Sequence, residues 1–246
     1  MYASAWEKDR KAWNLDEDGK SSAIYKSIDG GETWDKISKE NSGFPVGEGV
    51  GRIGIAVYDE NIVYAVLDNQ YRRELKTQNE NLTKESFKDI SVDDFKKIKT
   101  EDLNRFLRSN RFPKKYNAES VNSDINSGKI EPNDLYSYLV NANSELFDTP
   151  VIGAEVYKSV DGGQSWKKTH EAYLEGLYYS YGYYFGKIHV DPNNSDKIYT
   201  YGVPLISSDD GGKTFYSIGK ENVHADHHDL WINPNKPGHL INGNDG

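Results

Sequence analysis

Short apolar runs alternate with polar, glycine-rich turns along most of the chain, and this pattern predicts antiparallel β-strands. Three such runs stand at residues 23–26, 155–158 and 204–207. Two pairs of runs are joined by an Asp-Pro or Asn-Pro turn, at residues 186–201 and 229–243, and a less exact pair spans residues 51–66. The chain is therefore predicted to repeat a unit of several short strands.

One eight-residue pattern, Ser-x-Asp-Gly-Gly-x-(Ser/Thr)-(Trp/Phe), directly follows each of the runs at residues 23–26, 155–158 and 204–207. Its three copies lie at residues 27–34, 159–166 and 208–215. An Asp carboxylate can accept hydrogen bonds from backbone N–H groups a residue or two ahead, paired glycines permit positive φ, and the aromatic ring can pack on the sheet beneath. Each copy predicts a tight hairpin. The residues expected to hold these hairpins are Asp29, Gly31, Trp34, Asp161, Gly163, Trp166, Asp210, Gly212 and Phe215.

The spacing of the copies indicates a repeat with one insertion. Asp161 and Asp210 are 49 positions apart, a length that holds four short strands and is typical of a β-propeller blade. Asp29 and Asp161 are 132 positions apart, and residues 70–150 between them contain one of the 22 glycines and none of the five tryptophans. We therefore predict an all-β fold of propeller blades over residues 1–69 and 151–246, with an inserted helical subdomain over residues 70–150.

The inserted span has apolar residues at helical spacing over residues 82–110 and 118–146, with Ser91 and Asp134 as capping candidates. Its 14 basic and 14 acidic residues cancel, so the net charge of −9 lies on the strand-rich parts. This acidic character argues against a nucleic-acid partner. No apolar run approaches the roughly 18 residues of a membrane span, and the absence of cysteine excludes disulfides. No cofactor is expected.

Three hairpin patterns and a partial fourth unit fall short of the roughly four to eight blades of a closed propeller. The chain begins within a strand-like segment, residues 1–6, without a signal-peptide pattern, and ends at residues 244–246, where another Asp-Gly-Gly turn would begin. The expectation is a piece of a larger protein, with the rest of its own propeller as a partner.

The eight-residue pattern resembles the Asp-box, or bacterial neuraminidase (BNR) repeat, of sialidases, xyloglucanase-type glycoside hydrolases and sortilin-type propellers. Residues 224–234, leading into residues 243–246, and residues 147–157 are similar to large secreted bacterial proteins of the sortilin-like or glycosyl-hydrolase-like kind. The resemblance covers nearly the whole chain and implies an extracellular or periplasmic protein. It also implies that the Asp-boxes lie on the outer rim of the blades, away from any central site.

The densest group of ionisable residues comprises His224, Asp226, His227, His228 and Asp229, next to a predicted strand. Alternation along an extended chain would place His224, Asp226 and His228 on one side and the other two on the opposite side. Two interpretations stay open. His224, Asp226 and His228 could bind a metal or a substrate near a channel mouth. Alternatively, the segment is a polar loop, and the lack of clear zinc-ligand spacing favours this second interpretation.

Glycoside hydrolysis requires two carboxylates across a cleft. Glu48, Asp191, Asp226 and Asp229 lie near predicted strand ends, but their spacing does not select a pair. A sialidase-like site is disfavoured, because the resemblance implies a cluster of three arginines. Outside residues 70–150 the chain has only two, Arg10 and Arg52.

Arg52 lies among the glycines of residues 47–54, which precede a strand rather than a helix and so do not predict a phosphate cradle. Its side chain could point into the channel. Residues 14–19 imitate the start of a calcium loop, but Tyr25 stands where such a loop places its bidentate Glu, so a turn is predicted there.

Residues 173–186 are rich in tyrosine, and exposed rings could stack on a sugar or grip a peptide, whereas buried rings would pack between blades. We predict a non-catalytic, sortilin-like propeller that presents a channel mouth to a peptide or glycan. Its ligand-binding residues would be Arg52, Tyr178, Tyr179, Tyr181, Tyr183, His224, His227 and His228. The alternative is an Asp-box glycoside hydrolase that uses channel carboxylates, with Asp226, Asp229 and Glu48 as candidates.

Overall fold

The structure, a computed structural model, describes residues 1–73, 82–110, 112–139, 151–179 and 181–246. The chain divides into two compact units. The first comprises Met1–Arg73 and Asp148–Gly246, and the second comprises Glu74–Phe147. In chain order, the second unit interrupts the first.

The first unit is built from antiparallel strands. They are β1 (Tyr2–Ala5), β2 (Asp9–Arg10), β3 (Leu15–Asp16), β4 (Ala23–Lys26), β5 (Asp35–Lys36), β6 (Val50–Val57), β7 (Val63–Arg72), β8 (Val151–Ser159), β9 (Lys167–Lys168), β10 (Lys187–Asp191), β11 (Asn194–Tyr201), β12 (Leu205–Ser208), β13 (Tyr216–Ser217), β14 (His227–Ile232) and β15 (Leu240–Asn244). The mainly-β class predicted from the sequence is confirmed.

The strands form a short series of similar sheets. One sheet has the order β1-β4-β5, two four-stranded sheets have the orders β6-β7-β8-β9 and β10-β11-β12-β13, and two-stranded sheets join β14 to β15 and β2 to β3. Strand β6 packs against β1 and β10, and β10 packs against β14. The first strands of successive sheets therefore lie side by side, but in the described part of the chain the sheets do not close into a ring.

Each eight-residue pattern forms the loop that joins the last two strands of a sheet, and we call these three segments the Asp-Gly-Gly loops (residues 27–34, 159–166 and 208–215). In each loop the Ser hydroxyl donates to the Asp carboxylate and accepts from the N–H of the second glycine at 2.8 Å. All six glycines have φ between +69° and +100°, as their turn requires. The same network recurs three times.

The Asp carboxylates reach farther than the sequence predicted. Each accepts from the backbone N–H four residues ahead, at 2.9–3.0 Å, and from the hydroxyl of that same Thr or Ser. Bonds from Thr33 and Thr214 hold the pKa of Asp29 and Asp210 well below the usual range. Burial opposes this effect at Asp161, but the bonds from Ser165 and Ser159 lower its pKa to about 2.

The aromatic residues that close the loops differ in burial. Trp166 is 3% exposed and packs edge-on against Phe44, with ring centroids 5.6 Å apart, while its backbone N–H donates to Ser42 O. Trp34, at the same position of the first loop, is 38% exposed. Only the second loop therefore places its tryptophan in the core.

The second unit contains short helices around its own apolar core. They are a 3-10 helix at Lys84–Phe87, α1 (Val92–Phe95), α2 (Thr100–Ser109), α3 (Ala118–Asn126) and α4 (Asn133–Leu139). The core includes Phe87, Phe95, Leu103, Phe106, Leu107 and Val121. None of the helices that the structure describes is long and apolar enough to cross a membrane.

The predicted long helical spans are divided at particular residues. Gly128, with φ of +71°, follows α3, and Pro132 precedes α4. Ser91 caps α1 by accepting from Asp94 N, as predicted, whereas Asp134 lies inside the first turn of α4 and accepts from Glu131 N. At the start of the predicted insertion, β7 continues to Arg72, which pairs with Val151. Residues 140–150 of the predicted insertion lie outside the described residues.

Candidate functional site

The two ends of the sheets carry different loops. In the two four-stranded meanders alternate connections lie at the same end, so the second and third Asp-Gly-Gly loops share an end with the turns that join β6 to β7 and β10 to β11. Hydrogen bonds confirm this at two sheets, where Gly162 N donates to Asn61 O and Gly211 N to Asp196 O, both at 2.8 Å. The opposite end, which we call the cleft end, holds the starts of β6, β10 and β14 and the end of β7.

The cleft end contains an open cavity of about 560 Å³. Its wall is formed by residues just after β1, by the β2–β3 hairpin, by the start of β6 and by the segment that leads into β10. The lining residues that carry chemistry are Trp6, Lys8, Arg10, Arg52, Tyr183 and Tyr184. We refer to this cavity as the cleft.

Arg52 is held in the cleft wall by three kinds of contact. Its Nη1 donates to the carbonyl oxygens of Tyr183 and Tyr184, both at 3.0 Å. Its guanidinium carbon lies 5.7 Å from the centroid of the Trp6 ring. Its aliphatic part crosses Gly186, where φ is +116° and a Cβ would lie 3.1 Å from Arg52 Cδ. The guanidinium is thus positioned before any ligand binds.

The positive charges of the cleft have no carboxylate in direct contact. Lys8 Nζ lies 4.7 Å from the centroid of the Trp6 ring, a cation–π contact, and Arg10 is exposed in β2. Across the described residues, no Asp or Glu forms an ion pair with Lys8, Arg10 or Arg52. Three cations and two tyrosines therefore meet in one cavity of an acidic protein.

Two carboxyl groups near the cleft lack full hydrogen bonding. Asp68, at the end of β7, is 1% exposed; its Oδ2 accepts from Gln70 Nε2 at 2.8 Å, but its Oδ1 has no partner. Glu17 Oε2 is also buried without a partner. Gly182 packs so tightly on Asp68 that a Cβ there would lie 2.0 Å from Asp68 Cγ. Such unpaired oxygens are costly when charged.

Burial raises the pKa of Asp68 to about 6; Asp18 adds to the rise, and the positive charge of Arg52 opposes it. Burial also raises the pKa of Glu17 to about 7, with the charges of Asp68 and Asp18 adding to the effect. Glu17 is tied to the cleft wall because Trp6 Nε1 donates to its carbonyl oxygen at 2.7 Å. The sequence predicted only a turn at residues 14–19, and it did not select Asp68. A charged residue directly after the apolar run 62–67 was the signal that could have identified Asp68.

The predicted convergence of His224, Asp226 and His228 does not occur. Strand β14 begins only at His227, so the alternation does not extend back to His224, and Asp226 has a φ of +63°, outside extended geometry. Within the ranges that the structure describes, no group of three His, Cys, Asp or Glu residues could hold a metal ion. The physical reason is a turn, rather than an extended strand, before β14.

The remaining histidines of this segment have separate roles. His227 is buried, and a 2.5 Å hydrogen bond joins its Nδ1 to Asn242 Oδ1, which ties β14 to β15. His228 Nε2 lies 2.7 Å from Asp245 Oδ1, and its ring packs on Tyr184 with centroids 5.2 Å apart. Thus His228 contacts a residue of the cleft wall, whereas His227 serves the sheet.

The three carboxylates selected from the sequence have separate partners. Glu48 is exposed and pairs with Lys20 at 3.1 Å. Asp229 accepts from Leu230 N at 2.9 Å and lies 3.5 Å from Lys187 Nζ. Asp226 is held through its backbone N–H, which donates to Val203 O at 3.0 Å. None of these contacts joins one of the three carboxylates to another.

The tyrosine-rich segment divides between core and cleft. Tyr178 is 1% exposed and packs in the core with Phe185, which is incompatible with the predicted ligand contact, and burial raises its pKa. Tyr181 also packs against this core, and Tyr179 is half-buried with a φ of +50°. Tyr183 lines the cleft as predicted for a binding residue, together with Tyr184, which is 59% exposed.

An exposed tryptophan near the cleft was missed from the sequence. Trp13 is 84% exposed in the turn between β2 and β3, which Lys11 N and Asn14 O close with a 2.8 Å hydrogen bond. The same hairpin supplies Arg10 and Leu15 to the cleft wall. A tryptophan within the mainly polar residues 7–20 was the available signal.

Comparison of the chain with protein-family models, with curated proteins and with solved structures found no match to any of them.

Proposed function

We propose that the chain forms blades of an Asp-box β-propeller and that its cleft binds a glycan outside the cell or in the periplasm. Two features of the fold support the propeller. The Asp-Gly-Gly loops join the last two strands of three successive sheets, and strands β6, β10 and β14 lie side by side, as inner strands do around a propeller axis. The rest of the ring would come from further blades.

The observation that carries the binding function is the cleft itself. Its wall combines aromatic rings with fixed hydrogen-bond donors, and it lies at the end of the sheets opposite the Asp-Gly-Gly loops. Aromatic rings stack on the apolar faces of sugars while charged donors bind their oxygens. A peptide with aliphatic side chains is less well matched, because the aliphatic lining is limited to Leu15 and Ile53.

Trp13 provides a direct test of glycan binding. Its exposed ring at the hairpin beside the cleft is suited to stacking on a sugar, so Trp13→Ala should weaken binding at least tenfold, as measured by calorimetry with the best ligand from a glycan array. The stability of the fold should not change, because the side chain is 84% exposed.

Trp231→Ala is the matched control, since Trp231 is also a solvent-exposed tryptophan but lies in β14 rather than in the β2–β3 hairpin that forms part of the cleft wall. It should leave affinity within twofold of the parent. An array without any bound glycan, or equal losses in the two variants, would contradict the proposed function.

A further inference from the structure

The cleft has a charge opposite to that of the protein as a whole. The chain carries a net charge of −9, yet the charged residues that line the cleft are Lys8, Arg10 and Arg52, all basic. Surface cations of an acidic protein usually have carboxylate neighbours, and several do here, such as Lys11 with Asp9 and Lys20 with Glu48. The basic lining is therefore a local feature and does not follow from composition.

Arg52 and Lys8 have N–H groups that are available to a ligand. Arg52 uses Nη1 for Tyr183 and Tyr184, and in the described part of the chain its Nε and Nη2 donate to no protein acceptor. Lys8 is fixed over the Trp6 ring, a contact that leaves its three N–H donors unused. A planar guanidinium with two free N–H directions matches a carboxylate or sulfate.

Three acidic residues near Arg52 lie outside the lining of the cleft. Asp68 and Arg52 are close enough for their charges to interact, Asp18 acts on Asp68, and both acids act on Glu17. None of the three lines the cleft. The charge of Asp68 reduces the positive potential at Arg52, whereas Lys8 and Arg10 have no carboxylate in direct contact among the described residues.

We propose that the cleft binds sugar units that carry an anionic group, a carboxylate or a sulfate. This inference rests on the proposed glycan-binding function and specifies its ligand class. The anion would contact the free N–H groups of Arg52, with Lys8 and Arg10 completing a basic wall, and the sugar ring would lie against Tyr184. Complementary charge in a cleft gives selectivity against the neutral counterpart of the same sugar.

The test uses pairs of probes that share a sugar backbone and differ in whether its anionic groups are present or masked. One pair is tetragalacturonic acid and its fully methyl-esterified form, and the other is a sulfated galactan tetrasaccharide and its desulfated form. Calorimetry should show at least tenfold tighter binding of one acidic probe than of its neutral partner, and this preference should decrease as salt is raised. The pair that shows the preference identifies carboxylate or sulfate as the anion.

Two substitutions in the β2–β3 hairpin test whether the cleft causes the preference for the acidic probe. Arg10→Gln should weaken binding of the acidic probe about tenfold and weaken binding of the neutral probe by a smaller factor. Lys11→Gln removes the same charge one residue away, from a lysine that is paired with Asp9 and does not line the cleft, and should change affinity less than threefold.

The outcomes separate the inference from the function on which it rests. Equal affinity for the charged and neutral probes, or equal effects of Arg10→Gln and Lys11→Gln, would overturn the anionic ligand and leave glycan binding intact. If none of the four probes and no member of the glycan array binds, both proposals fail. Binding of an acidic peptide such as oligoglutamate, without any glycan, would also overturn both.

Discussion

Replacing Trp166 with alanine is expected to destabilise the strand-rich unit by about 4 kcal/mol, because the mutation removes a fully packed ring from the core. Trp166 is 3% exposed, contacts Phe44 and donates from Nε1 to Gly163 O at 3.1 Å. Urea denaturation followed by tryptophan fluorescence measures this effect. All five tryptophans lie outside residues 74–147, so the signal reports the strand-rich unit alone.

Trp34→Ala is the matched control, since Trp34 closes the first Asp-Gly-Gly loop with the same Nε1 bond, to Gly31 O at 3.0 Å, but is 38% exposed. With less area to lose from the core, it should cost only about 1 kcal/mol. Similar losses for the two variants would show that the loop network, rather than burial of the ring, sets the contribution of this position.

The second large effect concerns pH. Asp68 and Glu17 have folded-state pKa values of about 6 and about 7, above their ordinary values of 3.8 and 4.5. Between those limits the folded state binds more protons than the unfolded state, so these two groups make stability fall as pH rises from about 4 to about 7.5. Asp68→Asn should remove its share of this fall, about 1.4 kcal/mol between pH 5 and pH 8.

Other groups titrate in the same window, so the comparison must be between variants. Burial lowers the pKa of His170 and His189, and their contribution to stability rises with pH, opposite to that of Asp68. Because both histidines are present in every variant, the difference in slope between Asp68→Asn and the parent reports the Asp68 carboxyl together with its effect on the pKa of Glu17. Urea denaturation at pH 5, 6, 7 and 8 provides the slopes.

Glu155→Gln is the control for removing a buried carboxyl. Burial would raise the pKa of Glu155, but bonds from Lys168, Asn69 and Tyr157 outweigh it and lower the pKa. This variant should lose stability at every pH between 5 and 8 without a change of slope. A parent-like slope in Asp68→Asn would mean that Asp68 is not protonated in this range.

Much of the strand-rich fold could be predicted because its signals are local. Strand β4 lies at Ala23–Lys26, where the apolar run predicted it, and β6 and β7 match the run pair at residues 51–66 to within a few residues except at the end of β7. Helix ends were predicted less well. Lys99, Gly128 and Pro132 each lie at a helix boundary inside a span that looked continuous, because apolar spacing alone does not reveal where the backbone turns.

The candidate site was predicted only in part. Arg52 and Tyr183 were selected and line the cleft, but Tyr178 is in the core, and His224, Asp226 and His228 do not converge. Tyr178 and Tyr183 belong to one tyrosine-rich segment, and whether a given ring faces core or solvent depends on turns such as the one at Tyr179. The exposure of Trp13 and the burial of the carboxyl oxygens of Glu17 and Asp68 are set by the folded structure.

The sequence by itself determined the three Asp-Gly-Gly loops, since every hydrogen bond of their network joins residues at most four positions apart and recurs wherever the eight residues recur. The cleft was decided by the tertiary structure. Trp6, Arg52 and Tyr184 come from separate parts of the chain and meet because the first strands of neighbouring sheets pack side by side. Contacts of that kind depend on strand register and sheet packing, and so does the burial that shifts the pKa of Asp68 and Glu17.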